Sequence, residues 1–330
     1  MKKLLLLAAA CSTTLGLSAT SAALAANAAD NYPSQSIKLV VPFPPGGPTD
    51  ALARRLAQSL AEPLAQTVIV ENKSGAGGNI GSEFVANSKP DGYTILFGTS
   101  GPLAINVSLY KKLGYDPRAS FAPIIRIGHL PNILVVHPSL PAKNLQELVA
   151  YAKDHPNKLS YASSGNGASS HLAGVLFNEL AGTSILHIPY RGTGPALNDL
   201  LGGQVSMSFT DILTALPHIH NKTLQPIGLA SAERSTALPD LPTLAEQGLK
   251  GYDVSVFFGI VAPKGTPAPI VEKLNAAFKH AMQDPEIKKT LTAQGIVEAT
   301  DQTPQGLRAF IDSEVPKWEV VVKNANISLD

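Results

Sequence analysis

The chain has 330 residues, 44% hydrophobic and 15% charged, with a formal net charge of +1 at pH 7. That length accommodates two domains, each with its own core. A near-neutral balance with a single tryptophan gives no electrostatic footprint for nucleic acid.

The first residues read as a secretory leader. Lys2-Lys3 is followed by the apolar run Leu4 to Ala10 and by a small-residue region ending Ala23-Leu-Ala25 and Ala26-Asn-Ala28, the three parts of a signal peptide. Residues 1–25 are assigned to it, with cleavage after Ala28 as the alternative, leaving an exported, periplasmic protein of about 305 residues. The single cysteine, Cys11, lies inside the leader in a poor lipoprotein-type setting, so disulfides, thiolate metal sites and cysteine nucleophiles are excluded from the mature chain. No acid precedes Asp30, so losing Lys2 and Lys3 takes the whole-chain charge of +1 to −1. No later run approaches the roughly 18 apolar residues of a membrane span.

Beyond the leader, apolar runs alternate with helical patterns. Strands are predicted at Ile37–Val41, Val68–Glu71, Thr94–Phe97, Ile133–Val136, Leu159–Tyr161, Ile185–Ile188, Val205–Phe209, Ile227–Leu229 and Phe257–Val261. Helices are predicted at Thr49–Ala61, Asn144–Lys153, Ser169–Leu180, Pro195–Leu201, Ala268–Met282, Pro285–Gln294 and Pro304–Asn324. This alternation predicts an α/β fold with mainly parallel sheets. Two extended apolar runs, from Asn132 to Pro138 and from Tyr252 to Pro263, read as crossings between domains. The first domain would then be discontinuous, residues 26–131 and 255–330, around a continuous second, residues 132–254, with a cleft between them.

Two loops carry the strongest functional signal. In Val41-Pro-Phe-Pro-Pro-Gly-Gly-Pro-Thr-Asp50, between strand and helix, prolines stiffen the backbone and Gly46-Gly47 permits close approach. Thr49 or Asp50 is expected to cap the helix, whose first N–H groups and positive dipole end form a seat for an anion. Tyr161-Ala-Ser-Ser-Gly-Asn-Gly-Ala-Ser-Ser-His171 repeats the design with more polar groups: Ser163, Ser164, Asn166, Gly167, Ser169 and His171. The helix that follows presents Leu172, Val175, Leu176 and Leu180 on its apolar face and stops at Gly182.

Weaker candidates surround them. Ser74-Gly-Ala-Gly-Gly-Asn-Ile-Gly81 is one residue too long for a dinucleotide fingerprint and is read as a neighbouring wall. Thr99 and Ser100 end a strand, Arg191 offers a partner for a carboxylate or caps a strand, and Asp211 either accepts a hydrogen bond from a ligand or caps the next helix. His218-Ile-His220 lacks an evident third metal ligand, so neither metal nor cofactor is expected. No nucleophile elbow, phosphate loop or metalloprotease helix occurs. Hydrogen-bonding groups and helix ends suit binding better than catalysis, although Ser169 or Ser170 with His171 leaves a hydrolase as a rival if a carboxylate orients the histidine.

From about Tyr32 to the C-terminus the chain is similar to the Bug receptor family, the periplasmic substrate-binding proteins of tripartite tricarboxylate transporters. The resemblance is carried by the segment from Val41 to Asp50, Glu71-Asn-Lys-Ser-Gly-Ala-Gly-Gly78, Asp91-Gly-Tyr-Thr94, Tyr115-Asp-Pro117, Ser163-Ser-Gly165 with His171-Leu172, His187-Ile-Pro-Tyr190, Gly202-Gly-Gln204, Phe209 with Asp211, and Leu241-Pro-Thr-Leu-Ala-Glu246. It implies a two-lobed Venus-flytrap fold of the type II periplasmic-binding-protein kind with two hinge crossings. The implied protein is a monomer that captures a small carboxylate and hands it to membrane permease subunits; a carboxylate sensor that signals through the same closed surface is the alternative. It also implies that the loops from Phe43 and Pro44 through Gly46, Gly47 and Thr49 to Asp50, and from Ser163 to Gly167, grip the carboxylate through backbone amides and ordered waters. One departure stands out: many relatives carry tryptophan where this chain has Phe257 or Phe258.

Overall fold

A computed structural model describes residues 31–235 and 237–329. The leader, Cys11 and both cleavage sites lie outside the described residues.

Among the described residues one curled sheet of ten strands runs through the fold. Its strands are β1 (Ile37–Val41), β2 (Val68–Asn72), β3 (Thr94–Thr99), β4 (Phe121–Val136), β5 (Ser160–Ser163), β6 (Leu186–Pro189), β7 (Met207–Asp211), β8 (Gln225–Leu229), β9 (Ser255–Pro263) and β10 (Val297–Glu298). The main order is β2-β1-β3-β9-β4-β7-β5-β6, with β8 and β10 also paired to β4. The outer pairs β1–β2, β1–β3, β5–β6 and β5–β7 are parallel. The centre is antiparallel: β9 runs opposite to β3 and β4, and β4 runs opposite to β7, β8 and β10. The expected mainly parallel sheet is therefore mixed: two βα-wound halves are joined through the long strand β4. That strand pairs with β9 as far as Pro131 and with β7 from Asn132 onward, and the chain returns where Val254 N–H bonds the Ala230 carbonyl just before β9.

Helices cover both faces: α1 (Pro48–Leu64), α2 (Asn79–Ala86), α3 (Asn106–Leu109), α4 (Leu145–Asp154), α5 (Ser169–Ala181), α6 (Thr193–Leu201), α7 (Ile212–His220), α8 (Ala268–Met282), α9 (Pro285–Ala293) and α10 (Pro304–Asn324). On one face Leu52, Leu56 and Leu60 of α1, Leu274 and Phe278 of α8 and Leu197 and Leu200 of α6 belong to one core cluster. On the other, Leu172 and Phe177 of α5 join Ile311, Val315 and Trp318 of α10. The inward face of α5 is Leu172, Ala173, Val175, Phe177 and Ala181; Leu180, expected inside, is 40% exposed. Gly182 ends α5 in the left-handed conformation, as its sequence position predicts.

Candidate functional site

The β1–α1 loop opens onto a cavity of about 1030 Å³, lined also by the β3 end, residues 74–78, the loop into α5, the start of α6 and the β7 end. Gly47, not Thr49 or Asp50, is the N-cap of α1, and Pro48 occupies the first turn. Proline has no N–H to satisfy there. Asp50 instead braces the loop from within. Its carboxylate accepts from the Gly46 N–H at 3.0 Å, Arg54 Nε at 3.0 Å and Asn72 Nδ2 at 2.9 Å. Burial opposes its ionisation, but the Arg54, Gly46 and Asn72 bonds outweigh it and hold the carboxyl below its ordinary value.

Three helices begin at this cavity without a side-chain cap: α1 after Gly47, α5 after Ala168 and α6 after Gly192. Each leaves first-turn N–H groups and the positive end of its dipole without a side-chain oxygen. The start of α6 is tied to the α5 loop by Tyr190 N–H to the Ser163 carbonyl and Gly192 N–H to the Ser164 carbonyl, both 3.1 Å. Arg191 is exposed at the rim, the one cation among the described lining residues, and it forms no ion pair with them.

Thirteen of the residues singled out from sequence line this cavity: Phe43, Pro44, Gly46, Gly47, Thr49, Asp50, Thr99, Ser100, Ser164, Asn166, Ser169, Arg191 and Asp211. Ser163, Gly167 and His171 stand behind the wall. Ser163 Oγ lies 2.6 Å from His187 Nε2, and His171 Nδ1 accepts from the Gly167 N–H at 3.3 Å. The His171 and His187 rings stack at 4.1 Å, with Tyr161 stacked on His187. Ser100 is committed to β9, accepting from Phe257 N–H and donating to the Ser255 carbonyl. Asp211 caps α7 through Thr214. Asn132, Thr210 and Phe258 also line the cavity; sequence reasoning missed the first two and left Phe258 undecided from Phe257, which packs on Phe310 away from it.

The serines are not arranged as nucleophiles on His171. Ser169 Oγ accepts from Asn132 Nδ2 at 3.0 Å, and Ser170 Oγ sits 3.0 Å from both the Ser164 N–H and the Ser164 hydroxyl. His218 and His220 occupy the last turn of α7, His218 beside the Thr223 hydroxyl.

Gly167 has a structural duty. Its φ is +78°, and a Cβ there would clash with Asn106 Oδ1. Gly167→Val is therefore expected to lower stability by about 2–4 kcal/mol, from backbone strain and the clash together, seen as an earlier urea midpoint. A midpoint equal to wild type would mean that the loop relocates freely.

Residues 52–327 match the model of the tripartite tricarboxylate transporter family receptor. The chain belongs to this family. It is 38% identical to Protein BugT of Bordetella pertussis over 94% of this chain and 95% of that one. Among solved structures, Rpa4515 of R. palustris with adipate superposes with a TM-score of 0.85 at 36% identity, covering 90% of this chain and 99% of that one. MatC of Rhodopseudomonas palustris with bound malate gives 0.83 at 35%, covering 88% and 100%. The two-lobed periplasmic-binding-protein fold expected from the resemblance is the fold of this chain, and as a member of the family it is a periplasmic solute receptor. Among the described residues no helix is long and apolar enough to cross a membrane.

Proposed function

We propose that this receptor closes on a small organic carboxylate and delivers it to the permease of a tripartite tricarboxylate transporter, acting as a monomer without catalysis. The observation that carries the reading is the set of three uncapped helix N-termini on one cavity with a single, exposed cation beside them. A carboxylate held there takes its stabilisation from backbone N–H groups and dipoles, with waters completing the shell. The adipate and malate bound in the two solved relatives support the ligand class. Phe43, Pro44, Gly46, Gly47 and Thr49 contact it from one lobe, and Ser164, Asn166 and Ser169 from the other, while Ser163, Gly167 and His171 hold the second loop in shape.

The lobes, in this reading, are residues 26–131 with 255–330 and residues 132–254, hinged where β4 changes partners at Pro131–Asn132 and where the chain returns at Val254–Ser255. A ligand that touches both lobes favours the closed state by its extra contacts there. Small-angle scattering of the mature protein with and without a bound acid is expected to give a smaller radius of gyration with ligand. At a free concentration a hundred times Kd, binding adds about 2.7 kcal/mol, or roughly 5 °C in Tm for a chain of this size. An unchanged radius beside a raised Tm would replace the hinge with a rigid pocket, and conversion of the acid to product would replace the receptor with an enzyme.

A further inference from the structure

One corner of the cavity carries chemistry that carboxylate capture leaves unused. β7 ends in Thr210-Asp211, and both residues line the cavity. Thr210 is only 4% exposed, yet its hydroxyl oxygen has no hydrogen-bond partner among the described residues. Its cross-strand neighbour in the β4–β7 register is Ile133, which offers no polar group. Buried hydroxyls are rarely left in this state, because desolvation is not repaid.

Asp211 is 7% exposed and stands opposite Asn132 in the same register. Its Oδ1 receives both the Thr214 N–H at 2.8 Å and the Thr214 hydroxyl at 2.6 Å. The Thr193 hydroxyl also acts on the carboxylate. Among the described residues no lysine or arginine forms an ion pair with it. A buried carboxylate that caps its helix through one oxygen retains lone pairs for a further donor. A hydrogen-bond donor would be held at this corner.

We propose that the Thr210–Asp211 corner is a second ligand subsite, which takes a hydroxyl or ammonium group carried on the carbon chain of the carboxylate. Asp211 accepts a hydrogen bond from that group, and the Thr210 hydroxyl supplies the neighbouring hydrogen bond. The inference rests on the carboxylate reading of the cleft and narrows it to hydroxy or amino acids in preference to plain ones.

Two matched series test this by calorimetry on the mature protein: malate, aspartate and succinate, and lactate, alanine and propionate. Each series keeps the chain length and changes only the group at the second carbon. A member with hydroxyl or ammonium is expected to bind at least about tenfold more tightly than its plain counterpart, since a site built to bond a polar group rejects the analogue lacking it. The better of the two tells which donor the corner takes. Asp211→Asn keeps a good helix cap and replaces an acceptor oxygen with a donor, so the preference is expected to shrink to within about threefold. Thr210→Val, of nearly the same shape, is expected to reduce it in part. Equal binding of succinate with malate and aspartate, and of propionate with lactate and alanine, overturns the subsite and leaves carboxylate capture standing. A preference that survives Asp211→Asn unchanged overturns the assignment to this corner. Binding by none of the six acids removes the carboxylate reading and the subsite with it.

Discussion

Gly47→Asp is expected to weaken carboxylate binding by at least about a hundredfold, near 2.7 kcal/mol, without lowering Tm. Gly47 has φ −81° and ψ 170°, the extended conformation of an ordinary N-cap, and with no side chain it leaves the helix uncapped. A Cβ there meets no atom within 4 Å, so the fold tolerates a side chain. An aspartate at an N-cap bonds the first-turn N–H groups and complements the dipole, which stabilises a helix. The same bonds occupy the donors that an anionic ligand needs, and the added charge repels it. Stability and binding should thus move apart, which no misfolding defect produces. Gly47→Ser caps without charge and should lose less affinity. Gly46 is a poorer probe, because its φ of +88° makes any side chain strained. Titration of the variant with the acid that stabilises wild type checks the expectation. Undiminished affinity would move the carboxylate away from α1.

What the sequence displayed best was local. Prolines and glycines between Val41 and Asp50 mark a loop that the structure places at the cavity, and α8 and α10 have the boundaries their periodicity predicts. The first half of β4 was hidden, because Pro123, Arg126, Gly128 and Pro131 interrupt its apolar run. The strand accommodates them with register shifts between Pro123 and Ile125 and between Arg126 and Gly128. Helix α2 was missed because it follows directly on a glycine-rich turn and is only eight residues long. Asn132, a site residue supplied by sheet register, was illegible for a different reason. Asn132 and Asp211 face each other across β4 and β7 although 79 positions separate them, and nothing local to either announces the other. Burial direction was equally hidden: Ser163 and His171 look like their neighbours in sequence, but they turn away from the cavity toward His187.

Acid should destabilise the receptor through the His171–His187 pair, well above the pH at which most carboxylates titrate. Burial lowers the pKa of His171 to about 4, and burial followed by repulsion from His171 lowers that of His187 to about 3. In the unfolded chain both rings take up a proton near pH 6.5. Between that value and about 4 the unfolded state binds more protons than the native one, so stability rises with pH across this window and falls as pH is lowered. Each ring contributes up to roughly 1.4 kcal/mol per pH unit, and the loss levels off only once the native rings are protonated. Protonation would also reach the ligand loop. His171 Nδ1 is an acceptor for the Gly167 N–H, so the neutral ring carries its proton on Nε2, and the charged ring cannot accept that bond. Urea unfolding from pH 7 to pH 4 is expected to lose stability with a slope approaching two protons from this pair, to which His129, also lowered by burial, adds. His187→Gln should flatten it by about one proton, since glutamine fills similar space and does not titrate. A slope unchanged in His187→Gln would assign the acid sensitivity to other groups. A loss confined below pH 4 would mean that the paired rings titrate in the folded protein as they do in the unfolded chain.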